Sequence, residues 1–374
     1  MNGLRMRRLG SGFTLVELMV SMAILVLLLV VLVSITDATR KTWSYTSGKI
    51  EQFHDAREAF ESITRKLSQA TLNTYWDYDN PLTPTRYLRQ SELRFISGDA
   101  TTLTGSSTCP THAVFFQAPL GYAVDTTRFS DLDNLLNTWG YYVQFGSDKP
   151  SWPPFIQNMG TIQERYRFRV MELMEPSDSL TLYTYTSGTN GSGAAKNLSY
   201  NTIEWFTTPF NGTSPYTAAT RPVRVLAENI IALVLLPKLT SGDQAAGNPA
   251  QSISSYTDAS LAPSYLYDST VANSDNCLNT KNQLPAVVQV TMVAVDEMTY
   301  GRYQSMQPAG VMPSDLGLSS LFKSVGSTTD ASVPGYAQDL QTLQNTLTKY
   351  KINYRVFTTN VSLKTAKWSR AQTN

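Results

Sequence analysis

Residues 12–17 read Gly-Phe-Thr-Leu-Val-Glu, behind a basic stretch with Arg5, Arg7 and Arg8 and ahead of an almost unbroken apolar run to Ile35. From Phe13 to Ile35 there are 23 residues. At about 1.5 Å of rise each, a helix of that length reaches roughly 34 Å, enough to cross a hydrocarbon core of about 30 Å. Leu, Val, Ile, Met and Ala dominate the run, and the hydroxyls of Thr14, Ser21 and Ser34 can bond back to helix carbonyls. One retained membrane span is expected.

Its direction follows from charge. Three arginines precede the run, while the far flank sets Asp37 beside Arg40 and Lys41, so the positive excess places the N-terminus in the cytoplasm. A secretory signal would show an Ala-x-Ala cut site after the apolar region, and none follows Ile35. Glu17 stands out, because an acid in a spanning helix costs on the order of 2.5–3.5 kcal/mol at mid-bilayer, less near the interface, and usually marks function. A plain interfacial acid near the helix end is the competing reading.

Beyond Ile35 the pattern becomes one-sided. Ile50, Phe53, Arg57, Phe60, Ile63, Leu67 and Ala70 recur at three- and four-residue steps, an amphipathic stripe. No proline occurs before Pro81, so one helix is expected to run from the membrane to about Leu72, weakest at Thr42–Gly48. Past Asn80, Val, Phe, Tyr and Thr clusters alternate with Pro, Gly, Asn and Ser, which predicts strands at 92–96, 113–117, 141–145, 166–172, 202–206, 223–227, 230–236, 286–296 and 353–363. The clearest are Val223–Leu236 and Pro285–Val295, long and β-branched, expected to pair antiparallel at the sheet centre. Between them 238–284 reads as a surface excursion, 304–334 as a second irregular stretch, and Tyr336–Lys349 as a helix with Leu340, Leu343 and Leu347 on one side. The fold class is therefore α+β: a long N-terminal helix packed on a mainly antiparallel β-sheet head.

The Gly-Phe-Thr-Leu-Val-Glu motif with its basic leader resembles the N-terminus of the type IV pilin and type II secretion pseudopilin superfamily. Leu-Ala-Glu-Asn-Ile at 226–230 and Leu-Pro-Ala-Val-Val-Gln-Val at 284–290 look like the J-type minor pseudopilins, and stretches such as 60–78 and 135–175 resemble verrucomicrobial pilin-like cassette protein C. The resemblance implies that a prepilin peptidase cuts after Gly12 and methylates the amine of Phe13. It also implies that Glu17, as the fifth mature residue, pairs with a neighbour's Phe13 amine during assembly, selecting register because a lone buried charge is heavily penalised. Ser34 stands where many pilins carry a kinking proline. The implied organisation is a leader at 1–12, a transmembrane helix at 13–35, an amphipathic helix at 36–75 and a periplasmic head at 76–374. Other pilin-like subunits and an assembly platform are the implied partners, in or on the inner membrane.

The chain of 374 residues carries 30 basic and 29 acidic side chains. Without the leader's three arginines the balance is 27 to 29, a formal charge of minus two, and no Lys/Arg stripe offers phosphate neutralisation, so no nucleic-acid partner is expected. Cys109 and Cys277 both lie beyond the span, where a disulfide is permitted, and are a candidate pair. Two cysteines this far apart in the chain do not by themselves make a metal site. His54 reads as a helix-face residue, while His112, three residues after Cys109, would matter chemically only beside a free thiol of low pKa. Gly188–Lys196 is glycine-rich but lacks the phosphate-loop pattern. The run Asp131-Leu132-Asp133-Asn134 offers oxygens without a calcium-loop pattern. Trp76, Tyr78, Trp139, Tyr141, Tyr142, Trp152 and Phe155 fit core and interface packing. No catalytic set, metal or cofactor is expected. A filament subunit is the leading function, with a single-pass anchored binding or adhesion protein as the alternative.

Overall fold

Branching at Cβ suits a pleated backbone, and most of the Val-, Thr- and aromatic-rich runs past residue 80 form strands. The computed structural model describes residues 14–80, 82–129, 132–157, 162–183, 202–217, 220–240, 261–271, 280–325 and 335–368. The strands are β1 (Tyr75–Tyr78), β2 (Tyr87–Gln90), β3 (Ile96–Asp99), β4 (His112–Pro119), β5 (Leu136–Ser147), β6 (Tyr166–Glu175), β7 (Val223–Glu228), β8 (Ile230–Lys238), β9 (Tyr267–Asp268), β10 (Val287–Val295) and β11 (Tyr354–Ser362). The helices are α1 (Leu15–Leu67), α2 (Ala100–Thr104), α3 (Pro154–Gln157), α4 (Glu204–Asn211), α5 (Glu297–Gln304) and α6 (Tyr336–Lys349). Every strand pairing is antiparallel, and the molecule is α+β. The chain divides into two compact units, Met1–Gln52 and Phe53–Asn374, with the boundary inside α1.

In the larger unit a six-stranded sheet runs β7-β6-β5-β4-β3-β9, and a three-stranded sheet runs β11-β10-β8. Gly140 of β5 lies so close to β4 that a Cβ there would sit 2.4 Å from the Phe115 ring. Among the described residues of the first unit, α1 is the only element. From Phe53 onward α1 buries Ala56, Ala59, Phe60, Ile63 and Leu67, the expected stripe with two alanines added and with Arg57 exposed and paired to Glu61 at 2.8 Å. Phe60 meets Phe357 of β11 with ring centroids 5.8 Å apart. The helix stops at Leu67, short of the expected 72–75. Gln69 and Ala70 donate to carbonyls three residues back, and Thr71 then bridges to Gln117 of β4, so sheet pairing takes over the backbone.

Val223–Leu236 is two strands in two sheets. Asn229 sits at φ +59°, a left-handed conformation that Asn tolerates better than most residues. It separates β7, at the edge of the larger sheet, from β8. β8 does pair with β10, Leu235 opposite Val290 and Leu233 opposite Met292, but β10 is the central strand and β8 the outer one.

Residues 202–206, expected as strand, lead into and open α4 instead. Trp205, Phe206, Pro209 and Phe210 form a buried helical stripe, and Phe206 stacks on Phe115 at 4.1 Å. The expected strand at 92–96 begins only at Ile96. Before it, Arg94 and Phe95 donate backbone N–H groups to the side chains of Gln117 and Ser269 rather than to a ladder.

Parts of both irregular stretches are packed. Within 238–284, Leu261, Ala262, Tyr265 and Tyr267 are buried and β9 extends the larger sheet. A two-pronged Arg94–Asp268 ion pair holds it there. Within 304–334, Leu316, Leu318 and Phe322 are buried. α6 forms as expected and buries Leu343 and Leu347.

Candidate functional site

Thr14 and Glu17 build the start of α1. The Glu17 carboxylate accepts from the Thr14 N–H and hydroxyl, both at 3.1 Å, while the Glu17 N–H donates to the Thr14 hydroxyl at 3.3 Å. This reciprocal arrangement is a capping box. The Thr-x-x-Glu spacing within the opening motif supplies it. Glu17 is thereby held at the helix N-terminus, where the aligned peptide dipoles favour a negative charge.

Downstream, Leu15–Trp43 has a mean hydropathy of 3.2 in its most apolar window and the composition of a membrane span, and all its side chains are exposed within the chain. Ser21 Oγ bonds back to the Glu17 carbonyl at 2.7 Å. Thr36, Thr39 and Thr42 do the same one turn back, at 2.8–2.9 Å. These bonds satisfy each hydroxyl without water, as a lipid environment demands. Gly12 and Phe13 lie outside the described residues.

Two of the head's nucleophile and acid–base candidates, Cys109 and His112, are enclosed. Cys109 is buried and has no disulfide partner among the described residues, and burial pushes the thiol pKa up, away from the reactive thiolate. Cys277 lies outside the described residues. His112 is fully enclosed: Nδ1 accepts the Leu235 N–H of β8 at 3.0 Å and Nε2 lies 2.9 Å from the Phe322 carbonyl. An N–H can only donate and a carbonyl only accept, so the ring is neutral with its proton on Nε2, and burial lowers its pKa to about 4. With Thr111 Oγ1 accepting from Leu233 N–H at 3.2 Å, His112 closes the outer edge of β8. His54 is exposed on α1, 3.5 Å from Glu58.

Of the aromatics, Trp139, Tyr141 and Tyr142 are fully buried, whereas Trp76, Tyr78 and Phe155 are exposed. Gly188–Lys196 and Asp131 lie outside the described residues. Among the described residues no group of three His, Cys, Asp or Glu side chains could hold a metal ion.

Sequence reasoning did not single out the buried charges of β6. Glu172, 1% exposed, accepts from Lys66 of α1 at 2.5 Å, from Arg224 of β7 at 2.7 Å and from the Tyr141 hydroxyl at 2.9 Å. Burial pushes its pKa up, but the two cations prevail and hold it below the usual carboxylate range. Lys66 also lies 4.0 Å from the centre of the Trp139 ring. Glu175, three residues on, has no cation among the described residues to offset burial. It accepts from the Tyr216 hydroxyl at 2.9 Å, and its pKa rises to about 7. These partners come from distant parts of the chain, so no local motif announces them.

No curated protein and no solved structure matches the chain. A family model for the prokaryotic N-terminal methylation motif matches residues 7–33, a family that is structural rather than catalytic. One apolar helix bearing such a motif fits a single-pass inner-membrane anchor. The match, spanning the capped start of α1, supports the type IV pilin-like class.

Proposed function

We propose that this chain is a minor-pseudopilin-like subunit of a periplasmic filament. The leader at 1–12 is removed by a prepilin peptidase after Gly12, and the new Phe13 amine is methylated. Residues 13–35 hold the subunit in the inner membrane until an assembly platform transfers it to other pilin-like subunits. The observation that carries this reading is the methylation-motif match at 7–33 on a helix whose first turn places Glu17 ahead of a long, exposed apolar surface. In a filament core the Glu17 carboxylate meets the Phe13 amine of a neighbour. The head is large, which favours a place at or near a filament tip over repetition along a narrow lattice.

Mass spectrometry of the protein from a peptidase-competent host tests the processing step. The expected N-terminus is Phe13 with one added methyl group; an intact Met1 leader turns the reading to a single-pass anchored binding protein. Assembly is tested by Glu17→Gln, which can retain the cap to Thr14 while removing the charge. Membrane insertion should be unchanged, and crosslinking to partner subunits through residues 13–35 should fall by more than about tenfold, since breaking a buried charge pair costs about 3–5 kcal/mol. Undiminished crosslinking rules the pairing out.

A further inference from the structure

The larger sheet has two dissimilar faces. On one, Glu172 meets Lys66 and Arg224. Side chains alternate along a strand, so Arg169 and Met171 of β6 point to the other face, with Gln144 opposite Arg169 and Val225 opposite Met171. There a cavity of about 670 Å³ opens over β5, β6 and β7, lined by Gln144, Arg169, Met171, Arg221 and Val225 among others. Its volume lies in the range of small-ligand sites.

The charges in this cavity are unbalanced. The Arg169 side chain is 7% exposed. Its Nε donates to Glu228 at 3.2 Å and its Nη1 to the Ser147 carbonyl at 2.8 Å. Its Nη2 is buried and has no hydrogen-bond partner among the described residues. A buried charged donor left unpaired is costly, and Arg169 is a lining residue of this cavity, so its guanidinium is suited to an incoming acceptor. Arg221 lines the same cavity and donates to the Phe210 carbonyl at 3.3 Å. No carboxylate lies within ion-pair distance of it among the described residues.

The nearby acids are already shared. Glu228 pairs with Arg167 and Arg169, Glu297 pairs with Arg165 and Arg167, and Glu172 is engaged on the opposite face. The planar guanidinium fork matches a carboxylate, while Met171 and Val225 offer an apolar wall. β7 is also the terminal strand of its sheet among the described strands, with Arg224, Val225 and Glu228 exposed. An extended chain can add to such an edge through main-chain hydrogen bonds.

We propose that this cavity receives a peptide carboxylate: an extended segment of a partner protein lies along β7 and places an acidic side chain or a chain-terminal carboxylate against the Arg169 and Arg221 guanidinium groups. The proposal is independent of whether the chain enters a filament. It is tested on the full chain in detergent by fluorescence anisotropy with four labelled pentapeptides. One has a free C-terminal carboxylate, one is its amide, one is amidated with a central Glu, and one is the same with Gln.

The expected result is binding by at least one acidic peptide, with its neutral counterpart at least about tenfold weaker, as loss of a charge-assisted hydrogen bond predicts. Whichever acidic peptide binds identifies the carboxylate's source. Arg221→Gln, at a half-buried position, should weaken that binding by about tenfold or more with an unchanged melting temperature. Arg169→Lys should weaken it as well, through loss of the fork. Equal binding of acidic and neutral peptides, unchanged affinity in Arg221→Gln, or no binding of any acidic probe at millimolar concentration overturns the proposal. Displacement by inorganic phosphate as effective as by acetate also overturns the carboxylate assignment.

Discussion

At the scale of single residues, two buried titratable groups in the head oppose one another. Glu175 has a folded-state pKa of about 7 against an ordinary 4.5. Between these values the folded state keeps a proton that the unfolded state has released, so this group makes stability fall as pH rises through the window. His112 has a folded pKa of about 4 against 6.5. Here the unfolded state binds the extra proton, so stability rises with pH from about 4 to 6.5 and is lost in acid. Glu175→Gln keeps a neutral hydrogen-bonding group and removes the first effect. Relative to the parent, it should gain on the order of 3 kcal/mol between pH 4.5 and 7.5, measured as denaturant midpoints at both values; a pH-independent difference would refute the assignment. His112→Leu leaves the Leu235 N–H and the Phe322 carbonyl unpaired and should cost about 2–5 kcal/mol at pH 7 by the same measurement.

At the scale of elements, α1 is joined to the larger sheet by apolar contact and by one buried ionic cluster. Small residues at 56 and 59 allow close packing, and Lys66 reaches Glu172 on β6 while lying over Trp139 of β5. Lys66→Met leaves Glu172 with Arg224 and Tyr141 as partners. It should destabilise the head by about 2–4 kcal/mol, less than breaking a two-member buried pair entirely. Adding Glu172→Gln should recover part of that loss, because the uncompensated charge goes with it. Thermal melting of the two single variants and the double variant checks this; strict additivity would mean that Lys66 acts through packing alone.

At the scale of the whole molecule, the side chains that α1 buries from Ala56 onward belong to the unit beginning at Phe53, whereas those from Leu15 to Trp43 are exposed. A fragment of residues 53–374 is therefore expected to stay soluble without detergent and to unfold in one cooperative transition, within a few degrees of the head transition of the full chain. Circular dichroism on heating checks it, and loss of cooperativity would show that the head needs the preceding helix. The same division separates two kinds of surface. The apolar N-terminal helix is suited to lipid or like helices, and the Arg169–Arg221 cavity to a charged partner.

The membrane-length helix, the stripe on α1 and most of the strands could be read from residue order, and the Thr14–Glu17 cap, which takes the Thr14 hydroxyl expected to bond to a helix carbonyl, is just as local. Each rests on a local cause: hydrophobic run length, an i to i+3 side-chain bond, or the periodicities of 3.6 and 2. A gap at Asn229 could be read between the expected strands at 223–227 and 230–236, but not that these two strands enter different sheets, which only packing decides. The helix at 204–211 was hidden for a related reason: its aromatics favour strands in isolation, and the stacking of Phe206 on Phe115 decides otherwise. His112, Glu172, Glu175 and Arg169 took their roles from partners tens of residues away or more. Burial and charge pairing arise only once distant strands meet, so the order of residues determined the anchor and the element types, and tertiary structure alone decided the head's electrostatics and its cavity.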